Sequence, residues 1–382
     1  MFSTRPLPRF ETLLGLCFVA LPLACTSPDR DSSGDPGEAE SEASSSEAST
    51  STSPSTMGSE SGAADCEGRV ELSAPGVGYV YLDGKYTGLT APRTLELELG
   101  SAQRVGVAVD GGAYYARELV VDEATCTLEL GEDDRLEPAT WRALWVGIPA
   151  AAATVGGSPC ETSASAAELD AAFADFEWSL TEHFERYTHQ TLSWELTRQD
   201  ASEVVAVSGS NDYFEVRPGD VPEVWDSVAQ GDYDLVVMVW KSRGAGCTIP
   251  GPYFGLGWSP QSETRQSGFV SIKFDSEDIA STIAWHHDND PGVWIHEWLH
   301  TIGEAFYQGL GLQLPDPGGD GLVIHGAENY GFTAPWMTWY EEMLGGRVPD
   351  EDAATGFVGF GPEAFAGCTV RQHALAPCPP FE

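Results

Sequence analysis

Basic residues are scarce in this 382-residue chain: Lys and Arg total 19 against 59 Asp and Glu, for a net charge of −40. A surface so acidic repels phosphate backbones and anionic lipid heads, so nucleic acid is not an expected partner. It is the composition of a solvated extracellular surface, and a hydrophobic content of 42% is ordinary for a globular protein. CxxC spacing is absent, which argues against a metal site built from cysteines. Aromatic residues are missing between residues 26 and 64, where Ser, Thr, Glu, Asp, Gly and Ala dominate. That stretch cannot bury enough apolar surface to offset the entropy of ordering it, so residues 25–64 are expected to form a disordered tether. A bilayer-spanning run is lacking too. The apolar stretch from Thr12 to Ala24 is too short to span and follows Arg5 and Arg9, the proportions of a signal peptide over residues 1–24.

The end of that stretch, Leu21-Pro-Leu-Ala-Cys25, resembles a bacterial lipobox, with Pro22 standing where an aliphatic residue is usual. The resemblance implies a lipid on Cys25, the one expected route to a membrane, and a place in the cell envelope; plain secretion is the alternative. In either case the mature chain lies outside the cytoplasm, where disulfides persist. Cys17 leaves with the signal. Cys66, Cys126, Cys160, Cys247, Cys368 and Cys378 remain, and nearest-neighbour pairing is expected among them, since Cys66 and Cys126 bracket one segment and Cys368 and Cys378 staple the tail.

Two folded regions are expected. Over residues 65–135 short apolar runs alternate with turns, including an Asp83-Gly84 hairpin turn after the Tyr79–Leu82 run, which predicts a small all-β domain. The segment from Ala74 to Thr90, with its Pro-Gly, Tyr-Val-Tyr-Leu-Asp-Gly-Lys and Thr-Gly-Leu-Thr stretches, resembles the PEGA domain of bacterial surface proteins; this implies a binding or spacing role. Over residues 140–382 helix and strand signals mix. Strands are expected at 141–148, 192–196 and 233–240, the last continuous and central, with an alternating edge strand at 268–274. Leu169, Phe173, Phe176, Leu180 and Phe184 recur at helical spacing and predict a long helix over 164–187.

His296-Glu297-Trp298-Leu299-His300 is an HExxH motif in a helix expected to begin near Pro291. Residues four apart share a helical face, so both imidazoles can meet one metal ion, and Glu297 beside it can take a proton from a bound water. On a wheel of about 100° per residue, Gly303 and Tyr307 join the histidine face, and Trp294, Trp298 and Ala305 the packing face. The motif and the order of elements over about 141–310 resemble the zincin metalloproteases. The fold class expected is therefore α+β, a zincin-like catalytic domain with a mixed twisted sheet and active-site helix, preceded by the small β domain. Catalytic zinc takes three protein ligands. The metzincin form HExxHxxGxxH fails here, because Phe306 stands at the last position. The third ligand is expected from His325, which follows a Gly-rich turn (Asp316 to Gly321) long enough to bring the chain back, with Glu328 and then Glu304 as alternatives.

Tyr330, or less well Tyr340, can donate to a developing oxyanion. Trp336, Trp339 and Tyr340 otherwise read as the core stripe of a late helix. His286 to Asp290 reads as a solvated loop whose Asp290 caps the motif helix. His183, His189 and His373 read as surface residues. The expected activity is Zn2+-dependent peptide-bond hydrolysis outside the cytoplasm, with Glu297 as general base and substrate added along 268–274. The alternatives are a non-catalytic anchored binding protein on the same scaffold, and hydrolysis of an amide in cell-wall material.

Overall fold

A computed structural model describes residues 66–381 of the chain. The signal, lipobox and tether expectations fall on residues 1–65, outside the described residues. The fold is mixed α+β. Its first elements are seven strands, β1 (Arg69–Ser73), β2 (Gly78–Leu82), β3 (Lys85–Ala91), β4 (Arg93–Glu96), β5 (Ala102–Val109), β6 (Tyr114–Val120) and β7 (Thr127–Glu129), followed by a 3-10 turn, Glu132–Asp134. They form a four-stranded sheet, β3-β2-β5-β6, and a three-stranded sheet, β4-β1-β7. Strand alternation explains the packing. Val80, Val105 and Val107 turn inward to a core shared with Val70 and Leu72, while Tyr79 and Tyr81 turn to the opposite face.

The larger region is organised by five strands, β8 (Ala139–Gly147), β9 (Leu192–Asp200), β10 (Leu235–Lys241), β11 (Gly255–Trp258) and β12 (Gly268–Phe274), in the order β9-β8-β10-β12-β11. All neighbours are parallel except β11, which runs antiparallel to β12 at the edge. Both faces are covered, so β10 reads as an unbroken apolar run and is buried throughout. Trp141, Trp145, Val237, Val239, Val270 and Ile272 face a helical layer. Leu144, Val146, Val236, Met238 and Trp240 face a second core with Phe214 and Trp225.

The crossover from β8 to β9 is helix α1 (Ala166–Trp178), which continues through a wider π segment, Ser179–Phe184, and a last turn, Glu185–Tyr187. Its start is fixed by a capping box between Ser165 and Glu168. Four of the five predicted apolar positions are buried; Phe173 is half-buried.

The expectation of an edge strand at 268–274 is corrected. β12 is wholly buried: β11 pairs along its outer edge, and the face that carries Ser271 and Lys273 is covered by the second core, which Phe269 joins. Lys273 is satisfied internally, donating to the Gly251 carbonyl at 2.6 Å and lying 5.1 Å from the Tyr253 ring centroid. The expected loop at 286–290 is corrected too. His286 to Asn289 belong to helix α2 (Ile279–Asn289), whose buried stripe is Ile279, Ile283 and His286; only Asp290 lies beyond it. A polar composition hid that spacing. His189, expected at the surface, is buried, its Nδ1 donating to the Val109 carbonyl at 3.3 Å.

The disulfides join Cys66 to Cys126, Cys160 to Cys247 and Cys368 to Cys378, as nearest-neighbour pairing expected. They point to an oxidising, extracytoplasmic setting. Among the described residues no helix is long and apolar enough to cross a membrane.

Candidate metal centre

The motif helix α3 (Val293–Trp298) starts two residues after Pro291 and runs on as a π segment, Leu299–Tyr307. The N-cap is Gly292, without a side-chain cap, so the expected cap by Asp290 is corrected: that acid sits ahead of the cap near the Gly292 N–H, and burial pushes its pKa up to about 6. The π turns take more residues each than α turns, so the constant-angle wheel drifts past residue 299. Tyr307, expected beside the histidines, is fully buried against Trp298 and Phe365. Ala305, expected in the packing face, is exposed. Trp294, Ile295, Trp298, Leu299 and Ile302 are buried as expected.

His296 and His300 remain on one face, with their Nε2 atoms 3.0 Å apart. His325 joins them from the 3-10 segment Val323–Tyr330, its Nε2 3.4 Å from that of His296. The three donors lie within 4.8 Å of one another and can hold a metal ion. Donors about 2.0–2.1 Å from a tetrahedral ion sit about 3.3–3.4 Å apart, close to these separations.

Each opposite ring nitrogen has a neighbour. His325 Nδ1 donates to Asp320 Oδ2 at 2.5 Å, His296 Nδ1 lies 3.2 Å from the Tyr340 hydroxyl, and His300 Nδ1 lies 3.6 Å from Glu304 Oε1. The Asp320 carboxylate puts the His325 proton on Nδ1 and turns its Nε2 lone pair inward, and the same tautomer of His296 and His300 would turn theirs inward too. Converging lone pairs repel unless a cation lies among them. Burial, with the charges His300 and His325 would carry, drives the His296 pKa well down, so this imidazole stays in the neutral form that a ligand requires.

The segment bearing His325 is held at two points. The Ile324 N–H donates to Glu304 Oε1 at 2.8 Å, and Trp339 Nε1 donates to the Ile324 carbonyl at 2.9 Å. The Gly-rich turn before it lets the backbones close up: a Cβ on Gly318 would lie 2.5 Å from the His325 carbonyl oxygen. Glu304 thus serves as an orienting group, and Glu328 is exposed and outside the cluster.

Glu297 is buried, and its Oε2 has no hydrogen-bond partner. Burial raises its carboxyl to about 7, although His300 and His325 pull the other way. The edge strand lies directly over it. A Cβ on Gly255 would come within 2.1 Å of the Glu297 carboxyl, so only glycine lets β11 approach this closely.

Tyr330 turns away from the histidines. Its hydroxyl accepts the Asp316 N–H at 2.7 Å and donates to Asp350 at 3.3 Å. The phenol that reaches the cluster is Tyr340, on helix α4 (Met337–Leu344), where Trp339 and Tyr340 are indeed core residues. Sequence periodicity could find Tyr340 as a buried position but not as a partner of His296. The contact is 44 residues distant, and no local spacing marks it. Asp320 stood in the expected turn, where its role as partner of His325 went unread.

The chain matches no known protein family, no curated protein and no solved structure.

Proposed function

We propose that this protein is an extracytoplasmic zinc-dependent peptidase built on a zincin-like arrangement, with a PEGA-like β region in front. One observation carries the proposal: three imidazoles converge through Nε2 beside a buried carboxylate with one unpartnered oxygen. An all-histidine set with a nearby acid suits zinc among the first-row ions. Bound by His296, His300 and His325, zinc would polarise a peptide carbonyl and lower the pKa of a water in the open position.

Glu297, buried beside the three imidazoles with an unpartnered oxygen, would accept the water proton and return it to the leaving amine. Substrate backbone would add to the free edge of β11, which replaces 268–274 in that role and passes over Glu297 at Gly255. Tyr340 orients His296, and the proton of Tyr330 is held by Asp350.

The experiment is metal analysis of purified protein followed by digestion of a mixed peptide library. One zinc per chain and chelator-sensitive cleavage are expected, with both lost in His325→Ala. Zinc without cleavage of any peptide would favour the anchored binding protein instead. Cleavage of cell-wall amides alone would redirect the substrate.

A further inference from the structure

The N-terminal β region does not hang free of the metal-bearing region; it is locked to it through one polar cluster. The tyrosine face of its larger sheet packs on the segment that follows α4. The Tyr81 hydroxyl donates to the Gly345 carbonyl at 2.7 Å, and Tyr114 and Arg104 both donate to Glu363 Oε1, at 2.7 and 2.8 Å. Tyr86 meets Phe357 with ring centroids 4.6 Å apart. At the centre lies Arg347, its side chain 1% exposed. Its guanidinium stacks over Tyr79 at 4.2 Å, donates to His189 Nε2 at 3.0 Å and pairs with Glu342 at 3.1 Å. A fully buried guanidinium is costly unless every donor is placed, so its surroundings have few alternative arrangements.

Glu342 belongs to α4, and so does the carbonyl of Glu341, which Arg347 also reaches at 3.4 Å. The same short helix carries Tyr340 against His296 and Trp339 against the backbone one residue before His325. One end of α4 is therefore fixed by the β region, and its side chains touch the supports of two of the three metal donors.

We infer that the N-terminal β region is a brace for the metal centre, with Arg347 as the positioning residue that acts through α4 on His296 and His325. This rests on the metal-centre proposal but not on hydrolysis of any substrate. A spacer would need no such contact, and its tyrosine face would be left bare.

The test uses the full chain carrying Tyr81→Phe, Tyr81→Phe with Tyr114→Phe, or Arg347→Lys. Zinc affinity is measured by competition with a chromophoric chelator, and coordination by the visible spectrum of the cobalt(II) form. Val224→Ala, a buried substitution on the far side of the large sheet, serves as a control for general destabilisation. Direct partners of metal ligands are worth about 10–100-fold in affinity, so one contact further out is expected to weaken zinc by about threefold to tenfold and to alter the cobalt bands. Val224→Ala is expected to change neither. The brace is overturned if Tyr81→Phe and the double variant fold but keep both the zinc affinity and the cobalt spectrum of the unaltered protein. It is equally overturned if Val224→Ala shifts both as much. Failure of the unaltered protein to take up zinc or cobalt would instead remove the metal centre, and the brace with it.

Discussion

Glu297 is the residue on which the proposed chemistry turns, and it carries an energetic burden in the absence of substrate. Its carboxyl is buried and one oxygen is unpaired, a state the surrounding packing must offset. Glu297→Gln keeps the shape and removes the base. Bound zinc is expected to stay at one per chain, while peptide hydrolysis falls by at least about 10²- to 10⁴-fold, measured as kcat on the best library substrate. Unchanged turnover in that variant would end the case for a Glu297 base. The residues around it show how much of the site could be read beforehand. An HExxH string and a His after a Gly-rich turn were enough to anticipate His296, His300 and His325, which the fold does bring together. Of the outer partners, Tyr340 lies 44 residues from His296 and leaves no local mark, whereas Asp320 and Glu304 stand five and four residues from their rings and were legible as neighbours but not in these roles.

A change of helical pitch did not by itself decide which elements were legible. The stripe that starts in α1 crosses a short π segment at Ser179 and was still recovered nearly whole, whereas the motif helix runs through a longer π segment from Leu299 and carried Tyr307 and Ala305 to the wrong faces. β11 escaped notice because Gly-Leu-Gly-Trp has no strand-forming run; its glycines are there for the helix beneath. Gly255→Ala is therefore expected to act as overpacking, costing about 1–3 kcal/mol. A lower urea midpoint and a loss of hydrolysis together would show it, and neither effect would occur if the strand stood clear of Glu297. Helix α1 makes a pH prediction. Burial alone would raise the Glu168 carboxyl, but the Lys241 ammonium at 2.6 Å and the Ser165 N–H and hydroxyl hold it down at about 2. A carboxyl held below its ordinary value stabilises the fold fully above its unfolded pKa of about 4.3 and loses that contribution as pH falls toward about 2. Between pH values of about 5 and 3, the Tm of Glu168→Gln should fall less steeply than that of the unaltered protein. Parallel curves would show that the pair is screened to insignificance.

The whole molecule joins an acidic chain to a covalent framework. With 59 acidic residues against 19 basic ones, self-repulsion works against compactness. Cross-links that limit the unfolded chain offset it. Cys160 and Cys247 close a loop spanning 87 positions and fasten the strand Ser158–Ser163 to the chain beyond β10. Replacing both with Ala is expected to lower stability by about 2–5 kcal/mol, read from urea unfolding. A difference below about 0.5 kcal/mol would show that the bond constrains little. The bond between Cys66 and Cys126 has a different consequence. A pull applied at Cys66 passes through a covalent bond to Cys126, at the far end of the β region. Strand β1 is thereby spared from being peeled off its neighbours like a zip. Under such a load the protein would yield first somewhere other than at this strand.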